Sequence, residues 1–250
     1  MIDEDNNSKI PPYSGVIYGD IYSDIDKSNS FDGKLFCNLR TFFQYDRLVN
    51  AALHGVKINQ SVLQLGLVFG DQIDQTAQRV GAYGQYDILD VNGLQVSRNK
   101  EKYGHIYPAM NIFQQDASKI EIEEQYDTVL CFMLLQELPP ATKAKVINNA
   151  LRAVKPGGEV VFIDYHKPLF WHPLRYLVRM YNRLKNPFAE KLWDRSIESY
   201  ANHRTNFTWR KSTYFGRMFQ RLVATKKVSP LEVAFATDSN KKEEAFLPDF

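Results

Sequence analysis

The sequence predicts an α/β chain built on a doubly wound, mainly parallel sheet, and three observations carry that expectation. An apolar strand, Val62-Leu63-Gln64-Leu65, runs into a glycine-bearing turn, Gly66-Leu67-Val68-Phe69-Gly70-Asp71, and then into a stretch of helical periodicity. A second apolar run ends on Asp90, twenty residues after Gly70. Short apolar strands then keep alternating with amphipathic stretches, the pattern of βαβ units. In such sheets ligands sit outside the carboxyl ends of the strands, where a glycine turn allows close backbone approach and a strand-end acid accepts from a ribose diol. Gly66, Gly70 and Asp90 therefore belong to one hypothesis. The turn departs from the usual pattern, with Gln64 where an acid is expected and Val68 where a third glycine is expected. Valine resists positive φ, so the backbone there must run differently.

Taken in order, residues 1–30 are polar and turn-rich and read as a leader that orders only against the domain. Helical spacing follows at Phe31–Phe43 and Asp46–Leu53, placing these segments over the sheet entrance or the ligand site. Strands are expected at Val62–Leu65, Gln85–Leu89, Met110–Phe113, Thr128–Phe132, Val160–Ile163 and Met218–Ala224. Helices are expected at Gln72–Val80, Leu94–Tyr103 and Pro140–Val154. The string Lys155-Pro156-Gly157-Gly158 stops the last of these and launches the next strand. Residues 165–206 form an insertion whose Phe170, Leu174, Leu177, Val178, Tyr181 and Leu184 line one helical face, with Arg175, Arg179 and Arg183 on the other. Residues 31–227 form the domain, and 228–250 read as a charged tail of low order.

Composition narrows the function classes. With 250 residues and 44% hydrophobic content the chain can bury one full-sized core. No apolar run is long enough to span a bilayer, and the acidic, polar Met1–Lys9 does not read as a signal peptide, so a cytosol-like compartment is expected. Cys37 and Cys131 are too few for a disulfide framework and lack metal-ligand spacing. The net charge of +2 hides an asymmetry, because residues 166–227 carry fourteen Lys or Arg against three acids. Aromatics interleave with those cations, a mixture that suits an anionic membrane surface or a solvated helical face over an ordinary core.

Five motifs in conventional order resemble the class I S-adenosylmethionine-dependent methyltransferase fold. They are Gly66–Gly70, Asp90, Gln115-Asp116-Ala117, Tyr126-Asp127-Thr128-Val129-Leu130, and Leu151–Gly158. The resemblance implies a Rossmann-like, seven-stranded, mainly parallel sheet with an antiparallel last strand and helices on both faces. It also implies S-adenosylmethionine as cofactor, held by Gly66, Val68, Gly70, Asp71, Asp90, Val91, Asp116, Ala117 and Phe132. Asp116 before a turn, and Asp90 as a helix cap, also have ordinary structural readings.

A narrower resemblance is carried by Phe69-Gly70-Asp71, by Asp164-Tyr165-His166-Lys167-Pro168 followed by Trp171-His172-Pro173-Leu174-Arg175, and by Phe215-Gly216-Arg217-Met218-Phe219-Gln220. Together these are similar to the rhodoquinone biosynthesis protein family (RquA). That family's implied activity is amination of ubiquinone, replacing a ring methoxy by an amino group from S-adenosylmethionine with the help of manganese. It further implies an enzyme in the cytoplasm, peripheral on the inner respiratory membrane, or on the matrix side in a mitochondrion. Leu67, and Gln136-Glu137 in place of a His-Glu pair, depart from the relatives' pattern.

Such a ring substitution needs a base, stabilisation of the developing oxygen charge and a leaving methanol. Asp164 and His166 share one side of an extended segment at the sheet's carboxyl edge, and Glu137 follows a neighbouring strand. Glu137, Tyr165, His166 and His172 are therefore the expected catalytic residues. Asp164, His166 and Glu137 could form an oxygen and imidazole site suited to manganese, although no dense ligand motif accompanies them and a histidine hydrogen-bonded beside a turn is the default reading. The partners expected are ubiquinone or another isoprenoid quinone and an anionic membrane surface. An ordinary methyltransferase on a quinone, phenol or lipid, and a non-catalytic binding or assembly subunit, remain alternatives. No nucleic acid is expected, since Phe132-Met133-Leu134-Leu135-Gln136 stands where a target-base motif would.

Overall fold

The computed structural model describes residues 25–186 and 188–228. Three short helices come first among the described residues: α1 (Ile25–Phe31), α2 (Lys34–Arg40) and α3 (Tyr45–Leu53). The alternating units follow as β1 (Ser61–Leu65), α4 (Gln72–Val80), β2 (Gln85–Asp90), α5 (Gly93–Tyr103), β3 (Met110–Gln114), β4 (Tyr126–Phe132), α6 (Pro140–Ala153) and β5 (Val154–Tyr165). Then come α7 (Arg175–Lys185), α8 (Lys191–Asp194) and the closing hairpin β6 (Phe207–Tyr214) and β7 (Phe219–Lys226).

The seven strands form one sheet in the order β3-β2-β1-β4-β5-β7-β6. β7 runs antiparallel to both neighbours, and the pairings among β1 to β5 are parallel. Two buried clusters flank the sheet, and alternate strand residues feed each one. Val161 and Ile163 join the cluster beneath α3 and α4, whereas Val160 and Phe162 join the one beneath α6. Burial on both faces explains why the inner strands read as continuous apolar runs. A residue such as Phe162, fully buried, contributes about 1.5–3 kcal/mol through its transfer from water.

Several expectations shift. Within the segment Phe31–Phe43 only Lys34–Arg40 is helical as α2; Phe31 ends α1, to which the leader's last residues belong, and Asp32-Gly33 separates the two helices. α1 lies on α5, where Ser28 Oγ accepts from Gln95 Nε2 at 2.7 Å and Asn29 Oδ1 from Arg98 Nε at 2.7 Å. The rest of the predicted leader, 1–24, and all but the first residue of the predicted tail lie outside the described residues. The Lys155–Gly158 string forms a bulge within β5: Val154 faces Tyr126, and the register resumes with Glu159 facing Thr128. β6 had no sequence expectation because its side chains are mostly polar and exposed, as suits a sheet edge. α7 is turned relative to the predicted arrangement. Leu174 and Val178 face inward beside Asn182 and Asn186, while Phe170, Leu177, Tyr181 and Leu184 are exposed.

Candidate cofactor and acceptor site

At the carboxyl edge of the sheet the loops after β1, β2, β3 and β4 border a cavity of about 480 Å³, within the range of small-molecule sites. Gly66 leaves β1 at φ +88°, and Gly70 ends the turn at φ +93°. Val68 is absent from the positive-φ positions, so the two glycines carry the unusual backbone and the residue between them keeps an ordinary one. A Cβ on Gly70 would lie 2.3 Å from the Tyr45 hydroxyl. That hydroxyl donates to Phe69 O at 3.3 Å and accepts from Gln72 N at 3.0 Å, clamping the turn to the start of α4. Gly70 N donates to Asp32 Oδ1 at 2.8 Å, and Asp32 also meets Arg98 and Lys102, each at 2.5 Å. The opening helices are thus tied directly to the turn.

Gln64 lies behind the turn and is fully buried. It exchanges side-chain hydrogen bonds with Gln72 at 2.9 and 3.0 Å, accepts from Tyr86 Oη at 2.5 Å, and donates to Gly66 O at 3.2 Å. A glutamine satisfies this neutral network as donor and acceptor at once, which an ionised acid cannot.

Gly66, Val68, Asp90, Val91, Asp116, Ala117 and Phe132 all border the cavity. Gly70 and Asp71 do not; they back onto Tyr45 and α2, because the turn folds them under the opening helices. Asp90 accepts from Leu67 N at 2.7 Å and Asn92 N at 2.8 Å, and burial pushes its carboxyl up to about 6 against those bonds. Each carboxylate oxygen keeps a lone pair for a diol. Asp116 Oδ1 caps its own turn by accepting from Ser118 N at 2.8 Å. The neighbouring Gln115 Oε1, on the same wall, is buried without a hydrogen-bond partner. Such an orphaned acceptor beside Ala117 suits an exocyclic amine. The residues present therefore fit S-adenosylmethionine, with Asp90 for the ribose and Gln115 to Ala117 for the adenine.

α2, α3 and the segment after β4 complete the lining. Met133 takes a left-handed backbone at φ 55° while its N–H donates to Ile163 O at 2.7 Å, which turns the chain toward the short helix Leu135–Glu137. Glu137 borders the cavity and meets Arg40 at 3.4 Å. Burial pushes its carboxyl up to about 8, opposed by Arg40 and reinforced by Asp164 and Asp90. It is a proton-holding group poised near neutral pH, and apolar side chains such as Phe36 and Leu134 line the same cavity.

The other expected catalytic residues lie outside the cavity wall. Tyr165 is buried in the core, stacked on Phe219 with ring centroids 5.2 Å apart, and its hydroxyl is pushed up to about 12 by burial. His166 Nδ1 lies 3.0 Å from Arg217 O and 3.1 Å from Lys167 O, both acceptors, so it donates there and its outward reach is limited. Burial lowers its basicity. His172 Nδ1 accepts from Leu174 N at 3.3 Å, and its ring meets Phe215 edge-on at 5.0 Å. These groups pin the segment after β5 onto the β6–β7 turn, where Gly216 leaves no room for a Cβ beside His172.

The expected manganese set does not assemble. Asp164 is fully buried and accepts from Tyr165 N at 2.7 Å and Gln136 N at 3.2 Å, His166 faces the hairpin turn, and Glu137 pairs with Arg40. Among the described residues no group of three or more His, Cys, Asp or Glu could hold a metal ion. Conversely, Arg40, Tyr45 and Asp32 are site residues that the sequence reading missed. Their signal was faint: an arginine four residues after Phe36 in an otherwise apolar stripe, and an acid at a helix break.

Comparison with known proteins agrees with this architecture. Residues 62–158 match a family described as a methyltransferase domain. A ubiquinone/menaquinone biosynthesis C-methyltransferase UbiE from Idiomarina loihiensis is 30% identical over 118 residues, which is 46% of each chain. The chain spans about half the length of the curated relatives it matches. Among solved structures, an O-methyltransferase family protein from Burkholderia thailandensis superposes with a TM-score of 0.63 at 14% identity, covering 86% of this chain and 64% of that one. The N-methyltransferase NodS from Bradyrhizobium japonicum, in complex with S-adenosyl-L-homocysteine, gives 0.57 at 13% identity, covering 84% and 96%. The fold is that of the class I S-adenosylmethionine-dependent methyltransferases.

Proposed function

We propose that this chain is an S-adenosylmethionine-using transferase acting on the ring of an isoprenoid quinone. The observation that carries this reading is one cavity lined both by Asp90, Gln115 and Ala117, which suit a nucleoside, and by Glu137, Arg40 and apolar side chains such as Phe36 and Leu134. S-adenosylmethionine, when bound, supplies the group transferred. The chain's own residues hold it, keep water from the apolar lining and manage charge: Arg40 faces a quinone oxygen as it gains negative charge, and Glu137 holds the proton that a leaving alkoxide needs.

The product we favour is the aminoquinone implied by the resemblance to the rhodoquinone family. The donor's amino nitrogen bonds to the ring carbon and the methoxy leaves as methanol. The donor's N–Cα bond then breaks with its electron pair on nitrogen, which is protonated as Cβ loses a proton and the donor departs as the unsaturated acid. Its support is that two of the three strings which carry that resemblance, the one after β5 and the one at the β6–β7 turn, form one unit. Asp164 faces Gln220, Leu169 N donates to Gly216 O at 3.0 Å, and His172 packs on Phe215 and Gly216. Ring C-methylation is the second reading, favoured by the names of the curated relatives. The test supplies S-adenosylmethionine carrying one isotope on its amino nitrogen and another on its sulfonium methyl, together with a short-tailed ubiquinone. Nitrogen label in a quinone that has lost a methoxy establishes amination, methyl label establishes methylation, and an unlabelled, unchanged quinone refutes both.

A further inference from the structure

α7 turns a mixed stripe inward, with Leu174 and Val178 beside polar groups. Its inward stripe contains Asn182, followed just past the helix by Asn186, and both are buried. Asn186 donates to Gln136 Oε1 at 3.3 Å, while Asn182 Nδ2 and Asn186 Oδ1 lack partners. Its outward face shows Tyr176, Leu177, Met180, Tyr181 and Leu184, between 52% and 74% exposed. Phe170 and Trp171, on the turn just before the helix, are 78% and 64% exposed. Arg175, Arg179 and Arg183 recur every four residues on the helix and so form a row along one flank of that apolar face; Arg179 and Arg183 also meet Glu190 at 3.5 and 3.8 Å, which leaves the row with a net positive charge. A helix with amides among its inward groups and leucines outward needs a non-aqueous neighbour.

A second apolar display adjoins it. α2 turns Phe36, Cys37 and Arg40 into the cavity and leaves Leu35 and Leu39 exposed, continued by Phe43 at 69%. Phe42 and Phe43 hold consecutive left-handed backbones at φ 53° and 60°, a costly geometry for aromatics. Phe42 stacks on Phe215 at 6.0 Å, and Phe215 meets His172 at 5.0 Å, next to Trp171. The two displays are therefore joined by aromatic contacts at the end of the molecule where the cavity lies.

We propose that this end is a docking face for an anionic lipid bilayer, with α7 lying in the interface plane and the rim of the cavity turned toward the lipid. Leucine, methionine and aromatic side chains enter to the acyl boundary while the arginine row remains at headgroup level. The strong positive excess of residues 166–227 complements anionic headgroups, whereas a two-fold contact with a second copy would bring like-charged arginine rows together. This deepens the quinone reading, because it puts the cavity next to the phase in which an isoprenoid acceptor dissolves.

The test mixes the full chain with vesicles of phosphatidylcholine, alone or with phosphatidylglycerol, and follows flotation and tryptophan emission. Expected are flotation with the anionic vesicles, weakened by salt, and a blue shift that disappears in Trp171→Phe while flotation persists. The double substitution Leu177→Glu with Leu184→Glu should reduce partitioning at least about tenfold, since each leucine loses its apolar burial. The same variant should still bind S-adenosylhomocysteine, which shows that it is folded. Flotation unchanged in that variant, or no flotation of the wild type on anionic vesicles, overturns the proposal. So does wild-type self-association that the double variant abolishes, which would make a second copy the occupant. A chain that floats but fails to modify a water-soluble short-tailed quinone would refute the acceptor reading and leave the docking face standing.

Discussion

The donor half of the molecule, β1 to the start of β5, and the half from β5 to β7 follow different rules. In the first, the inner strands are apolar on both faces and packing dictates sequence at nearly every position. That stretch is also the one matched by the methyltransferase domain family. In the second, β6 is a polar edge strand, α7 shows its apolar side outward, and the histidines serve to pin one loop to another. The contrast teaches that the cavity is built by the sheet and the helices before it, while the half after β5 contributes a loop-to-hairpin clasp and an exposed apolar face but, among the described residues, no residue of the cavity lining.

The comparison can be broken most severely at the glycine turn. Gly70→Ala should cost about 2–4 kcal/mol in denaturant unfolding, because a Cβ would strike the Tyr45 hydroxyl and the backbone is left-handed. A loss below about 0.5 kcal/mol would show that α3 does not hold the turn as described. Asp90→Ala should weaken S-adenosylhomocysteine binding on the order of a hundredfold by calorimetry, through the loss of charged hydrogen bonds to a diol. Equal affinity would remove Asp90 from the site.

Glu137→Gln sharpens the division between donor and acceptor functions. It should leave S-adenosylhomocysteine affinity within about twofold yet lower turnover on the order of a hundredfold. If Glu137 donates a proton, wild-type kcat/KM should fall as pH rises through about 8, and that limb should vanish in the variant. Linkage gives an independent check. A carboxyl whose folded value is raised above its unfolded one favours the fold at low pH and loses that contribution as pH rises toward about 8. Glu137→Gln should therefore gain stability relative to wild type as pH increases from about 5 to 8, and a flat difference would contradict the buried site assigned to it.

Gln64→Leu should destabilise by about 1–3 kcal/mol, because Gln72 and Tyr86 would lose buried partners. A neutral result would mean that the network is dispensable. The smallest effect expected is for Asp32→Asn, about 1 kcal/mol. It should appear first as faster amide exchange in α1 and α2, which Asp32 ties to Gly70 and α5.

Most of the donor half was legible because its signals are local: a period-two or continuous apolar strand, two glycines, an acid ending β2. Gly66, Asp90 and Asp116 reach the cavity by chain geometry alone. Arg40, Tyr45 and Asp32 were not legible, since their roles come from contacts between segments more than twenty residues apart. The expectation for His166 and His172 went astray for a related reason. Sequence places both at the carboxyl edge, but only tertiary structure shows that the β6–β7 turn meets His166 Nδ1 and packs against the His172 ring, whose Nδ1 is taken by Leu174 N. α7 misled through periodicity, which identifies an apolar stripe without saying whether protein or another phase covers it.

The most direct test of the account asks where the quinone ring sits. A short-tailed quinone bearing a photoreactive azide would be cross-linked to the wild-type chain with S-adenosylhomocysteine bound, and the labelled peptides mapped by mass spectrometry. The account predicts attachment on α2 and on the segment Phe132–Leu138. Attachment instead to the loop carrying His166 and His172, with α2 unlabelled, would contradict it.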